Sequence, residues 1–327
     1  MLNTTRLREL ALASRRVLLT GPTDPDGDSI GACLALARSL RQLGVPEVLV
    51  AGTPGYRYAW MPGADAMVPD ERVEGPFDLA VVMDGDRHRL SPPVDAAFQS
   101  AGTTAIVDHH DTTRTVGYTL ALIDRTAAST CGMVLEVMDA WGLELDPVQA
   151  ELLYAGIIFD TGGFRYSNTG ADTHRVAARL LDQGIDQSAI AIRVLMERRH
   201  AGVLLKSRVV TEASFLGGGA LLMGVISAEL LAEVRATRGD VEGIVESMLY
   251  IEGVEVSVLL VERGPHTVKL SLRSRGRVDV ARVARTLHAS GGGHQKAAGV
   301  TLDEALVDVA ARVPGVVLDA LAGRAAG

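Results

Sequence analysis

Four short apolar runs constrain this chain more than any other feature: RVLLT (16–20), PEVLVA (46–51), FDLAVVMD (77–84) and TTAIVD (103–108). None alternates as a strand with one wet face does. Helical patterns separate them, the first over Ser29–Leu43 and stopped at Gly44. Unbroken apolar strands spaced by helices predict a parallel sheet covered on both faces, hence an α/β domain. Further helices are expected at 126–142, 147–160 and 172–183, the last stopped by Gly184.

The rest of the chain reads differently. A basic helical stretch, IRVLMERRHAGVLLKSRV (192–209), suggests a connector. GALLMGVI (219–226), VEVSVLLVE (254–262) and HTVKLSLRS (266–274) read as strands. The last alternates Val268, Leu270 and Leu272 with Lys269, Ser271 and Arg273, which predicts a sheet with one solvated face. With helices near 240–250 and 279–288 and a turn at FLGGG (215–219), this is a smaller α+β module. The expected division is 1–190 for the α/β domain, 191–212 for the connector and 213–327 for the second domain.

Ligands of open α/β sheets bind beyond the carboxyl ends of the strands. In TGPTDPDGDSIG (20–31), Asp24, Asp26 and Asp28 follow the first strand. A calcium EF-hand starting at Asp24 needs Gly at its sixth position and Glu at its twelfth, where Ser29 and Ala35 stand. Gly21, Gly27 and Gly31 do not have dinucleotide-fingerprint spacing. Asp84 closes the third strand, Asp108, His109 and His110 close the fourth, and Asp160 ends an apolar helix. Singly, each reads as a helix cap. Together at one end of one sheet, they read as a divalent-metal site, because crowded carboxylates are tolerated around a cation. Carboxylate oxygen and imidazole nitrogen suit manganese, and magnesium where oxygen predominates.

Charge and composition narrow the partners. The net charge of −8 lies wholly in residues 1–199, and only 4% of the chain is aromatic. Such a surface lacks the basic contacts that grip long nucleic acid and the rings that stack single strands. No stretch approaches the ~18 apolar residues of a membrane span. Cys33 and Cys131 suggest neither a disulfide framework nor a zinc site, and the start of the chain has no signal-peptide core. A reducing cytoplasm is the expected location.

Five segments, in order, resemble the signatures of the DHH phosphoesterase superfamily: PDGDSIG (25–31), DHH (108–110), DTGGFRYSNT (160–169), SLRS (271–274) and GGGHQKAAG (291–299). The last two are similar to its DHHA1 substrate domain. The whole resembles most the oligoribonuclease and 3′-phosphoadenosine-5′-phosphate (PAP) phosphatase branch, the nanoRNases.

That resemblance implies an active site in the cleft between the two domains, and two Mn2+ ions, with Mg2+ as an alternative. Asp84 would bridge them, with Asp26 on the first ion and Asp28, His109 and Asp160 on the second. Asp108 would orient the histidines, and His110 would face the scissile phosphate. In the second domain Arg275 and His294, on a loop containing Gly292 and Gly293, would hold a terminal phosphate. The implied substrates are oligoribonucleotides from dimers to pentamers and nucleotide phosphates, without long duplexes or membranes; a homodimer is a further implication. Cyclic or linear dinucleotides are an alternative substrate. Inorganic pyrophosphate is disfavoured by PDGD together with GGGH.

One position departs from the pattern. Pro22 stands where the family usually has a metal-binding histidine. Asp24 is the expected substitute, His88 the weaker one. If neither serves, a nucleotide-binding sensor with attenuated catalysis is the remaining reading.

Overall fold

The computed structural model of the chain describes residues 3–111 and 113–323. They form two units, Met1–Glu197 and Arg198–Gly327. In the first, α1 (Thr4–Leu12), β1 (Arg16–Thr20), α2 (Gly27–Gln42), β2 (Glu47–Ala51), β3 (Leu79–Met83), α3 (Pro92–Gln99), β4 (Thr103–Asp108) and β5 (Leu120–Ile123) precede four helices. These are α4 (Thr130–Ala140), α5 (Pro147–Asp160), α6 (Ala171–Leu181) and α7 (Gln187–Ala191).

All five strands are parallel, in the order β2-β1-β3-β4-β5. Val17, Leu19, Val81, Met83 and Val107 pack on one face with Ile30, Leu36, Met133 and Ile157. Leu18, Ala80, Val82 and Ile106 pack on the other with Val94 and Phe98 of α3. Burial on both faces is why the strands read as unbroken apolar runs. From β1 the chain moves to β2 on one side, then crosses to β3 on the other. The topological switch point therefore lies beyond the carboxyl ends of β1 and β3, where a crevice opens in such sheets.

Against α2, α5 approaches through glycines. A Cβ on Gly31 would lie 2.6 Å from the Leu152 carbonyl oxygen. One on Gly156 would lie 2.3 Å from Cys131 Sγ, 2.9 Å from Asp28 Oδ1 and 3.0 Å from Asp28 Cα. Gly156→Ala is accordingly expected to destabilise the fold by about 1–3 kcal/mol through overpacking and to lower metal affinity by displacing Asp28. Thermal melts with and without Mn2+ measure both; an unaltered melt would mean that the helices separate freely.

The second unit comprises α8 (His200–Glu212), β6 (Ser214–Leu216), β7 (Leu221–Ile226), α9 (Ala228–Glu233), α10 (Ile244–Leu249), β8 (Val256–Gly264), β9 (Thr267–Ser274), α11 (Val280–Leu287), β10 (Gly292–His294), β11 (Ala297–Leu302) and α12 (Leu306–Leu321). Its six-stranded mixed sheet runs β10-β11-β9-β8-β7-β6. Leu205 and Val209 place α8, part of the expected connector stretch, inside this unit's core with Leu222 and Ile226.

Several local expectations need correction. The helix expected from 126 starts at Thr130, because Ser129 caps it by accepting from the Gly132 amide (3.0 Å). Phe215 and Leu216 of the expected turn belong to β6. The glycine-rich loop at 291–299 is largely the β10–β11 hairpin. The β9 face bearing Lys269, Ser271 and Arg273 is half-buried rather than solvated, and Arg273 Nε donates to Glu246 Oε1 of α10 (2.7 Å).

Candidate metal centre and active site

Asp26 and Asp28 emerge where β1 passes into α2. Asp26 is the N-cap: its Oδ1 accepts from the amides of Asp28 and Ser29, each at 3.1 Å. Two residues on, about half a helical turn, Asp28 points inward and is fully buried. There it meets the start of α4, accepting from the Thr130 amide on Oδ2 (2.6 Å) and the Cys131 amide on Oδ1 (2.9 Å). The positive end of a helix is one of few places where a protein stabilises a buried carboxylate without a cation.

Asp84 follows β3 with φ of +59°, a left-handed conformation that aspartate tolerates better than most residues. The turn aims its carboxylate into the sheet's crevice, where Oδ1 accepts from Thr130 Oγ1 (3.1 Å). Asp108 is fully buried at the end of β4. Its Oδ1 accepts from the His109 amide (2.8 Å), the His110 amide (3.3 Å) and His110 Nδ1 (2.7 Å); its Oδ2 accepts from Thr113 Oγ1. With those bonds made, Asp108 fixes the DHH turn and turns Nδ1 of His110 into a donor.

His109 brings the acids together. Its Nε2 lies 3.2 Å from Asp160 Oδ2 and 3.5 Å from Asp84 Oδ1. Its Nδ1 lies 3.2 Å from the Ala127 carbonyl oxygen, which can only accept, so Nδ1 carries a proton. In the neutral ring Nε2 would therefore point a lone pair at two carboxylates. Only a proton or a metal ion between them relieves that conflict. Asp28, His109 and Asp160 place ligand atoms within 4.8 Å of one another, and so do Asp84, Asp108 and His110.

The electrostatics record the same deficit of positive charge. Burial, then the charges of Asp84 and Asp160, pushes Asp28 up to about 8. Burial, then Asp84 and Asp26, pushes Asp160 up to about 7 despite the attraction of His109. Against burial, which opposes its charge, His109 is raised well above the usual imidazole range by Asp84, Asp160 and Asp28. Asp84 alone is held low: burial would raise it, but both histidines and Arg89 outweigh that. These residues fit a divalent cation, because carboxylate oxygens and an imidazole nitrogen, the donors such an ion takes, face one another.

Not every expected residue joins these groups. Asp26 stands outside both, although its charge reaches Asp160. Asp24 is exposed and belongs to neither. His88 is exposed, its Nδ1 3.5 Å from Asp86 Oδ2, and Pro22 is buried. In the second unit, Arg275 directs Nε to the Val254 carbonyl oxygen (2.8 Å) and Nη2 to that of Leu249 (3.0 Å). His294, Gly292 and Gly293 lie in β10. Gly291 and Gly293 are explained by packing: a Cβ would come within 2.2 Å of Ala284 O and 2.4 Å of Ala297 O respectively.

Sequence reasoning missed two supports. Thr130 contacts both Asp28 and Asp84, signalled only by a Ser-Thr cap before an apolar run. Asn168 Nδ2 donates to the carbonyl oxygens of Asp160 (3.1 Å) and Ala128 (2.9 Å), tying the end of α5 to the turn before α4.

Residues 16–157 match the DHH family, N-terminal domain, and residues 223–315 match the DHHA1 domain. The bifunctional oligoribonuclease and PAP phosphatase NrnA of Thermus thermophilus is 34% identical over 280 residues, spanning 85% of this chain and 82% of that protein. The chain belongs to the DHH family. The cyclic-di-AMP phosphodiesterase GdpP of Geobacillus thermodenitrificans is more distant from this DHH protein, 25% identical across 92% of the chain and 47% of its own length. An exopolyphosphatase-related protein from Bacteroides fragilis shares the fold, with a TM-score of 0.84 at 23% identity, over 98% of this chain and 95% of that one. No helix among the described residues of the DHH protein is long and apolar enough to cross a membrane.

Proposed function

We propose that this chain is a divalent-metal-dependent phosphoesterase that hydrolyses short oligoribonucleotides to mononucleotides and PAP to AMP. The observation that carries the reading is the convergence of Asp28, Asp84, Asp160 and His109 at the switch point of a DHH-family sheet, with His109 Nε2 facing two carboxylates. The NrnA relative, bifunctional by name, is similar over most of both chains. Its greater likeness also favours this substrate class over cyclic dinucleotides.

When bound, a pair of Mn2+ ions supplies a hydroxide near neutral pH and neutralises phosphoryl oxygens. The chain's own part is positional. Asp84 would lie between the two ions, Asp26 on the first, and Asp28, His109 and Asp160 on the second. Asp108 holds His110 by its Nδ1, and the two carboxylates Asp108 and Asp84 raise the His110 pKa against the burial that opposes it. His110 would thus present a proton to the phosphate. In the second unit, His294 with Gly292 and Gly293 would contact a terminal phosphate. Arg275 would join them by releasing the carbonyls it now holds.

The test is hydrolysis of a 5′-labelled RNA dimer, of PAP and of cyclic di-AMP with Mn2+, with chelator as control. Chelator-sensitive turnover of the dimer and of PAP supports the proposal. Nucleotide binding with no turnover under Mn2+ or Mg2+ would instead indicate the sensor. Asp24 has its own measurement. As the substitute for the absent histidine, its conversion to Asn should weaken Mn2+ affinity by about tenfold or more, the low end for losing even an outer partner. An unchanged titration removes Asp24 from the site.

A further inference from the structure

The turn Arg87–Arg89 begins three residues after Asp84, and its three basic side chains are disposed differently. Arg87 Nε lies 2.5 Å from Asp95 Oδ1. His88 faces Asp86. The Arg89 guanidinium has no hydrogen bond or ion pair among the described residues, and the residue is exposed. Its backbone is nonetheless pinned. The Arg89 amide donates to Asp86 O (2.9 Å), and its carbonyl accepts from the Thr23 amide (2.9 Å) and the Thr23 hydroxyl (2.8 Å). Those bonds tie the turn to the loop that leads into Asp26 and Asp28.

The side chain folds back toward the metal centre. A Cβ on Gly85 would lie 3.2 Å from Arg89 Nη1, 3.7 Å from Cδ and 3.8 Å from Cζ, and Gly85 has φ of +153°. Glycine next to Asp84 thus leaves room for a guanidinium over the peptide that follows the central carboxylate. Its charge is one of those felt by Asp84.

We propose that Arg89 is a phosphate-binding residue of this site, its guanidinium gripping the non-bridging oxygens of a phosphoryl group presented to the Asp28–Asp84–Asp160 centre. This rests on the phosphoesterase reading above. Four carboxylates, Asp26, Asp28, Asp84 and Asp160, would cancel the charge of two dications, so the loaded centre would attract an anion only weakly. An additional cation that is not spent in an ion pair restores the attraction. A planar fork of N–H donors also matches two phosphate oxygens, which an ammonium does not. The competing role, keeping Asp84 ionised for metal, predicts a loss of Mn2+ affinity instead.

Calorimetric binding of inorganic phosphate to the Mn2+-loaded wild type, Arg89→Gln and Arg89→Lys separates the two roles. For Arg89→Gln, phosphate affinity should fall about 10–100-fold, the value of hydrogen bonds to a charged group. Arg89→Lys should recover part of it, and Mn2+ affinity should change less than about threefold, within the range of a distant charge. Unchanged phosphate affinity, or a loss of Mn2+ affinity as large as that of phosphate, would overturn the proposal. Phosphate binding needs no turnover, so the two readings fail separately. Arg89-dependent binding without hydrolysis sinks the function alone, and undiminished hydrolysis by Arg89→Gln sinks the clamp alone.

Discussion

Asp84→Asn is expected to lower turnover of an RNA dimer by roughly a thousandfold or more while the protein remains folded. Losing an outer-shell partner costs about 10–100-fold at a metal site, and a carboxylate proposed to lie between two ions should cost more. The fold should persist because asparagine, like aspartate, tolerates the left-handed backbone at this position. Its amide oxygen can still accept from Thr130 Oγ1. Asp84→Ala makes a useful contrast, adding about 1–2 kcal/mol of backbone cost at φ of +59° to the same loss of ligand. Steady-state rates at saturating Mn2+, with melting temperatures for all three proteins, check this. An Asn variant keeping a tenth of wild-type turnover would remove Asp84 from the centre.

The first unit was legible because its strands are buried on both faces. Val17–Leu19, Leu79–Met83 and Ala105–Val107 had no wet face to dilute the apolar signal. β5 escaped notice because Leu120 and Leu122 are buried while Ala121 is exposed, a four-residue alternation too short to stand out. α3 was not among the expected helices, although Ser91 before Pro92, whose missing N–H costs nothing at a helix start, is a local start signal. Pro314 inside α12 concealed that helix, since proline normally ends one. In and just before β10 and β11, Gly291, Gly293 and Gly299 read as a loop although close backbone approach is what requires them.

Of the candidate centre, the acids could be read because strand ends place them at one edge. Thr130, Asn168 and Arg89 could not. Their roles rest on contacts distant in the chain: Thr130 meets Asp28 and Asp84, Asn168 meets Ala128, and Arg89 sits where the loops after β1 and β3 join through Thr23. Asp24 stands exposed on the loop while the α2 helix carries Asp28 inward, so its share in an ion rests on the Asp24→Asn titration rather than on its spacing with Asp26 and Asp28.

Asp160→Asn should stabilise the metal-free protein near pH 8 yet leave it less stable than the wild type once Mn2+ is added. The Asp160 carboxyl is raised to about 7, above its unfolded value near 3.8. Between those values the folded chain holds a proton that the unfolded chain has lost. Wild-type stability is therefore complete below about pH 4 and declines as pH rises through 7. Asparagine cannot ionise and escapes the decline. A quarter of the Asp160 side-chain surface stays exposed, which screens the effect. The gain near pH 8 is then on the order of 1–3 kcal/mol, a few degrees of melting temperature, and should shrink by more than half near pH 5. Asp28, raised further, is a poorer probe, because both its oxygens accept backbone amides and a side-chain amide would turn an N–H against one of them. Mn2+ reverses the order: held at a thousandfold above the wild-type Kd, it adds about 4.1 kcal/mol to the wild type, more than the variant's metal-free gain, and the variant lacks one anionic ligand. Calorimetric melts near pH 5 and pH 8, with and without Mn2+, should therefore cross. A variant that melts below the wild type in the metal-free state near pH 8 would mean that Asp160 is not held there against repulsion, and the case for a cation among these carboxylates would lose its physical basis.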